Sequence, residues 1–179
     1  MGPLEKIIKL LIIHVLDINL KLSIMKHSIQ LSMFVVTEVM LTYRSKIRPS
    51  DRKRITCSRD AYDSFKENWN DDTLEYFEEF KVLLLNRSNA VLGILAASKG
   101  GVSGTVTDVR IILQAALKSN ASGLIVCHNH PSGNLNPSES DTKITKKIKE
   151  AGNLMDIQLL DHLIISNEDY YSFADQGLL

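Results

Sequence analysis

Leu124-Ile-Val-Cys-His-Asn-His-Pro-Ser-Gly-Asn-Leu-Asn-Pro-Ser-Glu-Ser-Asp141 is the stretch on which the reading of this chain turns. Its first four residues are apolar and follow Gly123, the pattern of a short strand buried on both faces. Alternate residues of a strand point to one side, so His128 and His130 can approach one point from its end. α/β proteins tend to place their sites just beyond such ends. Pro131 to Asn136 then turn the chain back. Asn136, Pro137 and Glu139 read as a helix start: an N-cap, a first-turn proline and a carboxylate three after the cap. Ser138 and Asp141 are three apart and so neighbours on one helix face.

Outward from this stretch, helices and strands interleave. The helix begun near Ser138 runs to Ala151, with Ile144 and Ile148 inward and Gly152 at its C-terminal cap. Ile157 to Ile165 is a further strand, and Glu168 to Ala174 a helical turn or two. Upstream, Asp108 to Lys118 reads as a helix with Ile111, Ile112, Ala115 and Ala116 on its inner side. Phe80 to Leu85 and Val91 to Ala97 are strands joined by the turn Asn86 to Asn89, a hairpin. Lys99-Gly-Gly-Val-Ser-Gly104 lacks the Gly-Lys-Ser/Thr ending of a phosphate loop and reads as a connector. Ser58 caps a short helix whose apolar side holds Ala61, Tyr62, Phe65 and Trp69. The class is α/β, with a mixed sheet because its first pair is a hairpin.

Residues 1–32 form an extension in which Ile8, Leu11, Ile12, Val15 and Leu16 recur at helical spacing. Glu5, Lys6, Lys9, His14, Asp17 and Lys21 interrupt it, so no uninterrupted span of bilayer length is present. Such an amphipathic helix can lie on a partner, on the body of the protein or on a membrane surface. Packing is preferred, since the polar face is not strongly basic. In residues 33–54, the alternation from Val35 to Tyr43 suggests a strand, and the basic run Arg44 to Arg54 a linker. That run reads as a solvated loop first, and as a nucleic-acid or acidic-partner patch second.

The whole chain is electrically neutral, with 21 basic and 21 acidic residues, which gives no global drive toward nucleic acid. Its 44% apolar and 23% charged residues are ordinary for a soluble globular domain. Cys57 and Cys127 fit no metal-ligand spacing and no disulfide framework, so a reducing cytoplasm is the expected location.

Two imidazoles and a carboxylate, with a hydroxyl beside them, suit zinc. The fourth tetrahedral position stays open for water, the pattern of a catalytic site. Mn or Fe can take the same ligands. Asp141 alone also reads as a first-turn carboxylate favoured by the helix dipole. His-Asn-His as three adjacent letters is weak evidence for an HNH nuclease, whose residues are dispersed through a ββα-metal unit.

His128-x-His130, with Ser138-x-x-Asp141 downstream, resembles the JAMM signature of JAB/MPN metalloproteins. His128-Asn-His-Pro-Ser-Gly133, Leu160-Asp-His-Leu-Ile-Ile165 and Tyr171-Ser-Phe-Ala-Asp-Gln-Gly177 resemble its RadC-like bacterial branch, over residues 55–179. The resemblance implies an MPN (JAB, cytidine-deaminase-like) fold, a curved mixed sheet flanked by helices. It implies zinc held by His128, His130 and Asp141, with Ser138 assisting the water or the developing oxyanion. It also implies an upstream glutamate as general base, which falls on Glu78; Glu79 would point to the opposite side if that stretch is extended. The reaction implied is hydrolysis of a peptide or isopeptide bond in a peptide or protein substrate. His162 reads as structural, hydrogen-bonded to its surroundings, and Cys127 as packing.

Two other readings stand beside the hydrolase. An MPN scaffold would bind without catalysis, but such scaffolds tend to lose their ligands and the set here is intact. A DNA-associated protein would use Arg44 to Arg54, yet residues 1–54 hold no helix-hairpin-helix pattern of the kind longer RadC proteins carry.

Overall fold

Apolar residues fill both faces of the central strands, and helices cover both. The computed structural model describes residues 2–32, 40, 42–100 and 107–179, in two units, Met1–Leu41 and Thr42–Leu179. Most of the strand read over residues 35–43 and most of the Gly-rich connector lie outside the described residues; residues 40, 42 and 43 are described and belong to no strand.

In the second unit five strands form one sheet: β1 (Glu79–Leu85), β2 (Val91–Lys99), β3 (Gly123–Asn129), β4 (Gln158–Ile165) and β5 (Tyr170–Ser172). Their order is β2-β1-β3-β4-β5. β1 pairs antiparallel with both β2 and β3, β3 runs parallel to β4, and β4 pairs antiparallel with β5. The sheet is therefore mixed, as the hairpin requires, and the α/β class expected from the sequence holds. Asn89, at φ 57°, makes the hairpin turn, where Asn86 Oδ1 also accepts from Ser88 and Ala90 N–H.

β1 and β3 are buried at every residue, which only a strand covered on both faces can be. On one face Phe80, Val82, Leu84, Leu124 and Val126 meet α4 (Val109–Lys118) and α5 (Glu139–Asn153). On the other, Leu83, Leu85, Ile125, Cys127, Leu163 and Ile165 meet α2 (Ser58–Lys66), Ile55 and Leu74. Leu74 belongs to the short α3 (Asp71–Leu74), which the sequence reading did not separate; Asn70 caps it, accepting from Asp72 N–H. The α5 segment connects the parallel strands β3 and β4, as a parallel pair demands.

Several local expectations shift. The N-cap of α5 is Ser138, not Asn136: its hydroxyl accepts from Asp141 N–H while Asp141 accepts from Ser138 N–H, a complete capping box. Gly152 lies within α5 rather than beyond it; a Cβ there would collide with the Ile157 carbonyl oxygen. Cys57 rather than Ser58 is the N-cap residue of α2, and Asp60 turns back to accept from Thr56 N–H and hydroxyl. The inner side of α4 is Val109, Ile112, Leu113 and Ala116, and Ile111 faces outward. Glu168 to Ala174 holds β5 instead of a helix, because pairing with Leu163 to Ile165 satisfies its backbone at an open sheet edge. Lys53 and Arg54, read as linker, hydrogen-bond along the hairpin through Lys53 O to Val91 N–H and a bridge between Arg54 and Ala90.

The first unit contains α1 (Pro3–Ser32). Leu10, Ile13, Leu20 and Ile24 lie off the expected apolar stripe, so the helix is apolar on more than one side. No helix among the described residues is long and apolar enough to cross a membrane.

Candidate metal centre

His128 is the sixth residue of β3 and projects toward α5, while His130 follows the strand's last residue. Asp141 reaches them from the first turn of α5, so a strand end and a helix start build the centre between them. His128 Nε2 is 3.0 Å from His130 Nε2 and 3.1 Å from Asp141 Oδ1, and His130 Nε2 is 3.7 Å from Asp141 Oδ2. Two imidazole nitrogens and a carboxylate oxygen about 2.05 Å from a tetrahedral zinc would stand about 3.3 Å apart. The two separations from His128 Nε2 lie within a few tenths of an ångström of that value; the third is to the other carboxylate oxygen, and one atom from each side chain lies within 4.8 Å of the other two, so the three residues fit zinc once the His130–Asp141 gap closes. Among the described residues this is the one group of three such side chains that could hold a metal ion.

Each candidate ligand is held from behind. The His130 ring donates through Nδ1 to the Asn134 carbonyl, which leaves Nε2 toward the centre. Asp141 Oδ2 accepts from Ser138 N–H at 2.7 Å and from the Ser138 hydroxyl at 2.6 Å, leaving Oδ1 toward His128. His128 stacks against Phe80 with 7° between the rings. Behind it His162, fully buried, places Nε2 2.9 Å from His128 Nδ1 and Nδ1 2.6 Å from the Thr145 hydroxyl. Phe173 stacks on His162 at 4.8 Å.

The electrostatics follow from this packing. Burial alone would raise the Asp141 carboxyl, but the His128 and His130 rings and Ser138 outweigh it and hold it well below the ordinary range. Asp141 in turn raises His130 above the usual imidazole value, against burial. Burial in an apolar pocket drives His162 well below its usual value, with the charge of His128 adding to the effect.

The two glutamates part company. Glu78 precedes β1 and lines, with Tyr76, His130, Asn134, Asn136 and Ser138, a cleft of about 470 Å³. Glu79 is turned the other way and buried: Oε2 pairs with Lys81 at 3.1 Å, and Oε1 accepts from the Thr73 hydroxyl. Lys81 also donates to the Asn68 carbonyl and lies 4.0 Å above the Trp69 ring. Cys127 faces that same side, away from the centre, and burial pushes its thiol up. A larger polar groove of about 700 Å³ lies by Gly123 and Gln158, at the opposite ends of β3 and β4.

Sequence reasoning missed three residues that place the others. Asn129, fully buried between the two histidines in sequence, accepts from Glu79 N–H and donates to the Leu74 and Phe77 carbonyls. It thereby clamps the turn that carries Glu78. Thr145 bonds the Asp141 carbonyl and His162; its signal was its position one turn beyond Asp141. Asp161 accepts from Ser172 Oγ–H and from His162 and Ala174 N–H, which ties the Asp161-His162 stretch of β4 to Ser172 and Ala174.

The sequence model of a family described as RadC-like JAB domain matches residues 55–178. A UPF0758 protein of Flavobacterium johnsoniae is 51% identical over 126 residues, 70% of this chain and 54% of that one. One from Porphyromonas gingivalis is 44% identical over 129 residues, 72% of this chain and 56% of that one. One from Chlorobium chlorochromatii is 35% identical over 148 residues, covering 83% and 65%. The chain thus spans little more than half the length of the first two. With the mixed sheet, the flanking helices and the His-His-Asp cluster in place, the chain belongs to the RadC-like JAB domain family.

Proposed function

We propose that this chain is a zinc-dependent hydrolase of the JAMM type that cleaves a peptide or isopeptide bond. One observation carries the reading: His128, His130 and Asp141 converge on one point, and Glu78 and Ser138 line the cleft that opens on it. Bound zinc would supply a Lewis acid that lowers the pKa of water and polarises a carbonyl. Glu78 is assigned as the base that takes the proton of the attacking water and returns it to the leaving amine. Its place in the cleft, against the tethered Glu79, supports that choice. Ser138 is assigned to the developing oxyanion. Its hydroxyl donates to Asp141 here, so that role requires an exchange of partners when substrate enters. Asn134 and Asn136 offer amide groups along the cleft to a peptide backbone.

The purified chain should carry about one zinc, as a site with a single open position does. It should lose that zinc when His128 and His130 are changed to Ala. A chelator-sensitive hydrolysis of peptide or isopeptide-linked substrates should disappear in Glu78→Gln while zinc remains bound. A folded chain that takes up no zinc, or Glu78→Gln retaining full activity, would overturn the reading.

A further inference from the structure

Behind the centre runs a chain of polar groups whose hydrogen-bond directions can be worked out one after another. Thr145 Oγ contacts two groups, the Asp141 carbonyl and His162 Nδ1. A carbonyl only accepts, and a hydroxyl has one proton, so Thr145 donates to Asp141 and accepts from His162 Nδ1–H. His162 is fully buried between the Phe80 and Phe173 rings, and its nitrogens contact Thr145 and His128. No carboxylate lies against the ring, and in its neutral form, with the proton on Nδ1, its Nε2 is a bare acceptor. That acceptor lies 2.9 Å from His128 Nδ1, so His128 donates through Nδ1. The His128 proton is then used at the back of the ring, and Nε2 presents a lone pair toward Asp141 and His130.

We propose that Thr145 and His162 act as positioning residues that lock His128 in its Nδ1–H tautomer and so hold Nε2 ready as a metal ligand. A free neutral imidazole has both tautomers open to it, and only one can bind a cation through Nε2. Metal-ligating histidines are commonly fixed from behind by a carboxylate or a carbonyl. Here a second imidazole does that work, and its own tautomer is set by a helix hydroxyl one turn beyond the ligand Asp141. The same threonine fastens the Asp141 backbone, so one residue sets two of the three ligands. The consequence for zinc rests on the metal centre proposed above; the hydrogen-bond directions do not.

The test compares wild type, Thr145→Val and Thr145→Ser in the full chain. Long-range proton–nitrogen NMR of the ring nitrogens, on zinc-free protein with neutral imidazoles, reads the tautomer. Competition for zinc against a chromogenic chelator reads affinity. Wild type should show His128 protonated on Nδ1 and bare on Nε2. Thr145→Val, which keeps the shape and removes the hydroxyl, should mix the tautomers and weaken zinc binding about 10- to 100-fold, the usual effect of losing such a support. Thr145→Ser should restore both. A His128 proton on Nε2 in wild type overturns the inference, as does a valine variant with unchanged tautomer and affinity. A wild type that binds no zinc yet shows the bare Nε2 supports the relay and removes the metal reading instead.

Discussion

Exchanging each of two adjacent carboxylates for its amide separates chemistry from architecture, because Glu78, just before β1, lines the cleft, while Glu79, the first residue of β1, is buried against Lys81. Glu79→Gln keeps the side-chain shape and can keep the bond from the Thr73 hydroxyl. It removes the charge opposite Lys81, whose side chain is 9% exposed and whose Nζ lies 3.1 Å from Oε2. Stripping one partner from a buried ion pair costs about 3–5 kcal/mol. Lys81 retains the Asn68 carbonyl and the Trp69 ring, and the pair lies near the sheet's end, which reduces the expected loss to about 2–3 kcal/mol. In a chain of this length that corresponds to a Tm lower by roughly 5–10 °C. Glu78 is only half-buried, and Glu78→Gln should change stability by less than about 0.5 kcal/mol. Thermal and urea unfolding of zinc-free protein would measure the first effect, and hydrolysis by zinc-loaded protein the second. Glu79→Gln should lose stability and keep most activity per folded molecule, and Glu78→Gln should do the reverse. Activity lost in Glu79→Gln at wild-type stability would refute the assignment of the two sides.

Other outcomes follow from particular contacts. Gly152→Ala sets a Cβ against the Ile157 carbonyl and should cost about 3 kcal/mol in urea unfolding, the upper end of overpacking, with zinc content unchanged. Cys127→Ala should cost about 1–2 kcal/mol as a small core truncation and leave zinc binding intact, since Cys127 faces α2; loss of zinc would place it wrongly. Asn129→Ala strips three backbone groups of their partner and should cost about 3 kcal/mol or more; hydrolysis should fall further than the folded fraction, because Glu78 loses its anchor. In zinc-free protein, His130 has a raised pKa, so its contribution to stability is complete below the unfolded value of about 6.5 and is lost as pH rises through the folded value. The stability difference between wild type and His130→Gln should therefore shrink from mildly acidic to alkaline pH. A difference that grows over that range would contradict the His130–Asp141 pairing.

The His128–His130–Asp141 cluster was legible in the sequence because its parts are local: a strand end supplies both histidines, and one helix turn supplies Ser138 and Asp141. Glu78 was legible only through resemblance, since nothing in Glu75-Tyr-Phe-Glu-Glu79 says which carboxylate faces the cleft until Lys81 is seen to claim Glu79. The α5 cap moved by two residues because Asn-Pro and Ser-x-x-Asp are both start signals, and the reciprocal Ser138–Asp141 bonds satisfy more donors. Glu168 to Ala174 was misread as helix because three residues of edge strand carry no periodicity, and what fixes them is pairing with β4. His162 was placed as structural, but its partners Thr145 and His128 lie on α5 and β3, and no spacing along one segment reports such a meeting.

Pleating sorts the polar residues of this sheet into two groups, and the sorting is what makes the site. On β1 and β3 the even-numbered positions Phe80, Val126 and His128 face α4 and α5, and the odd-numbered Lys81 and Cys127 face α2, in the register Phe80 to His128 and Lys81 to Cys127. β4 would not match without help. Leu159 packs with the α5 side, so strict alternation would carry Asp161 and Leu163 there too and turn His162 toward α2. The register instead slips between Leu124 and Ile125, which pair with Leu159 and Asp161. That one extra residue at Leu160 reverses the alternation, sends Leu163 and Ile165 to the α2 core, and delivers His162 to the back of His128. The bulge thus has a definite use: it places His162 behind His128 and leaves Asp161 on the far side to hold Ser172 and Ala174. Leu160 is the residue left without a partner on β3, so removing it would restore plain alternation and keep Asp161, His162 and Leu163 on the faces they now occupy.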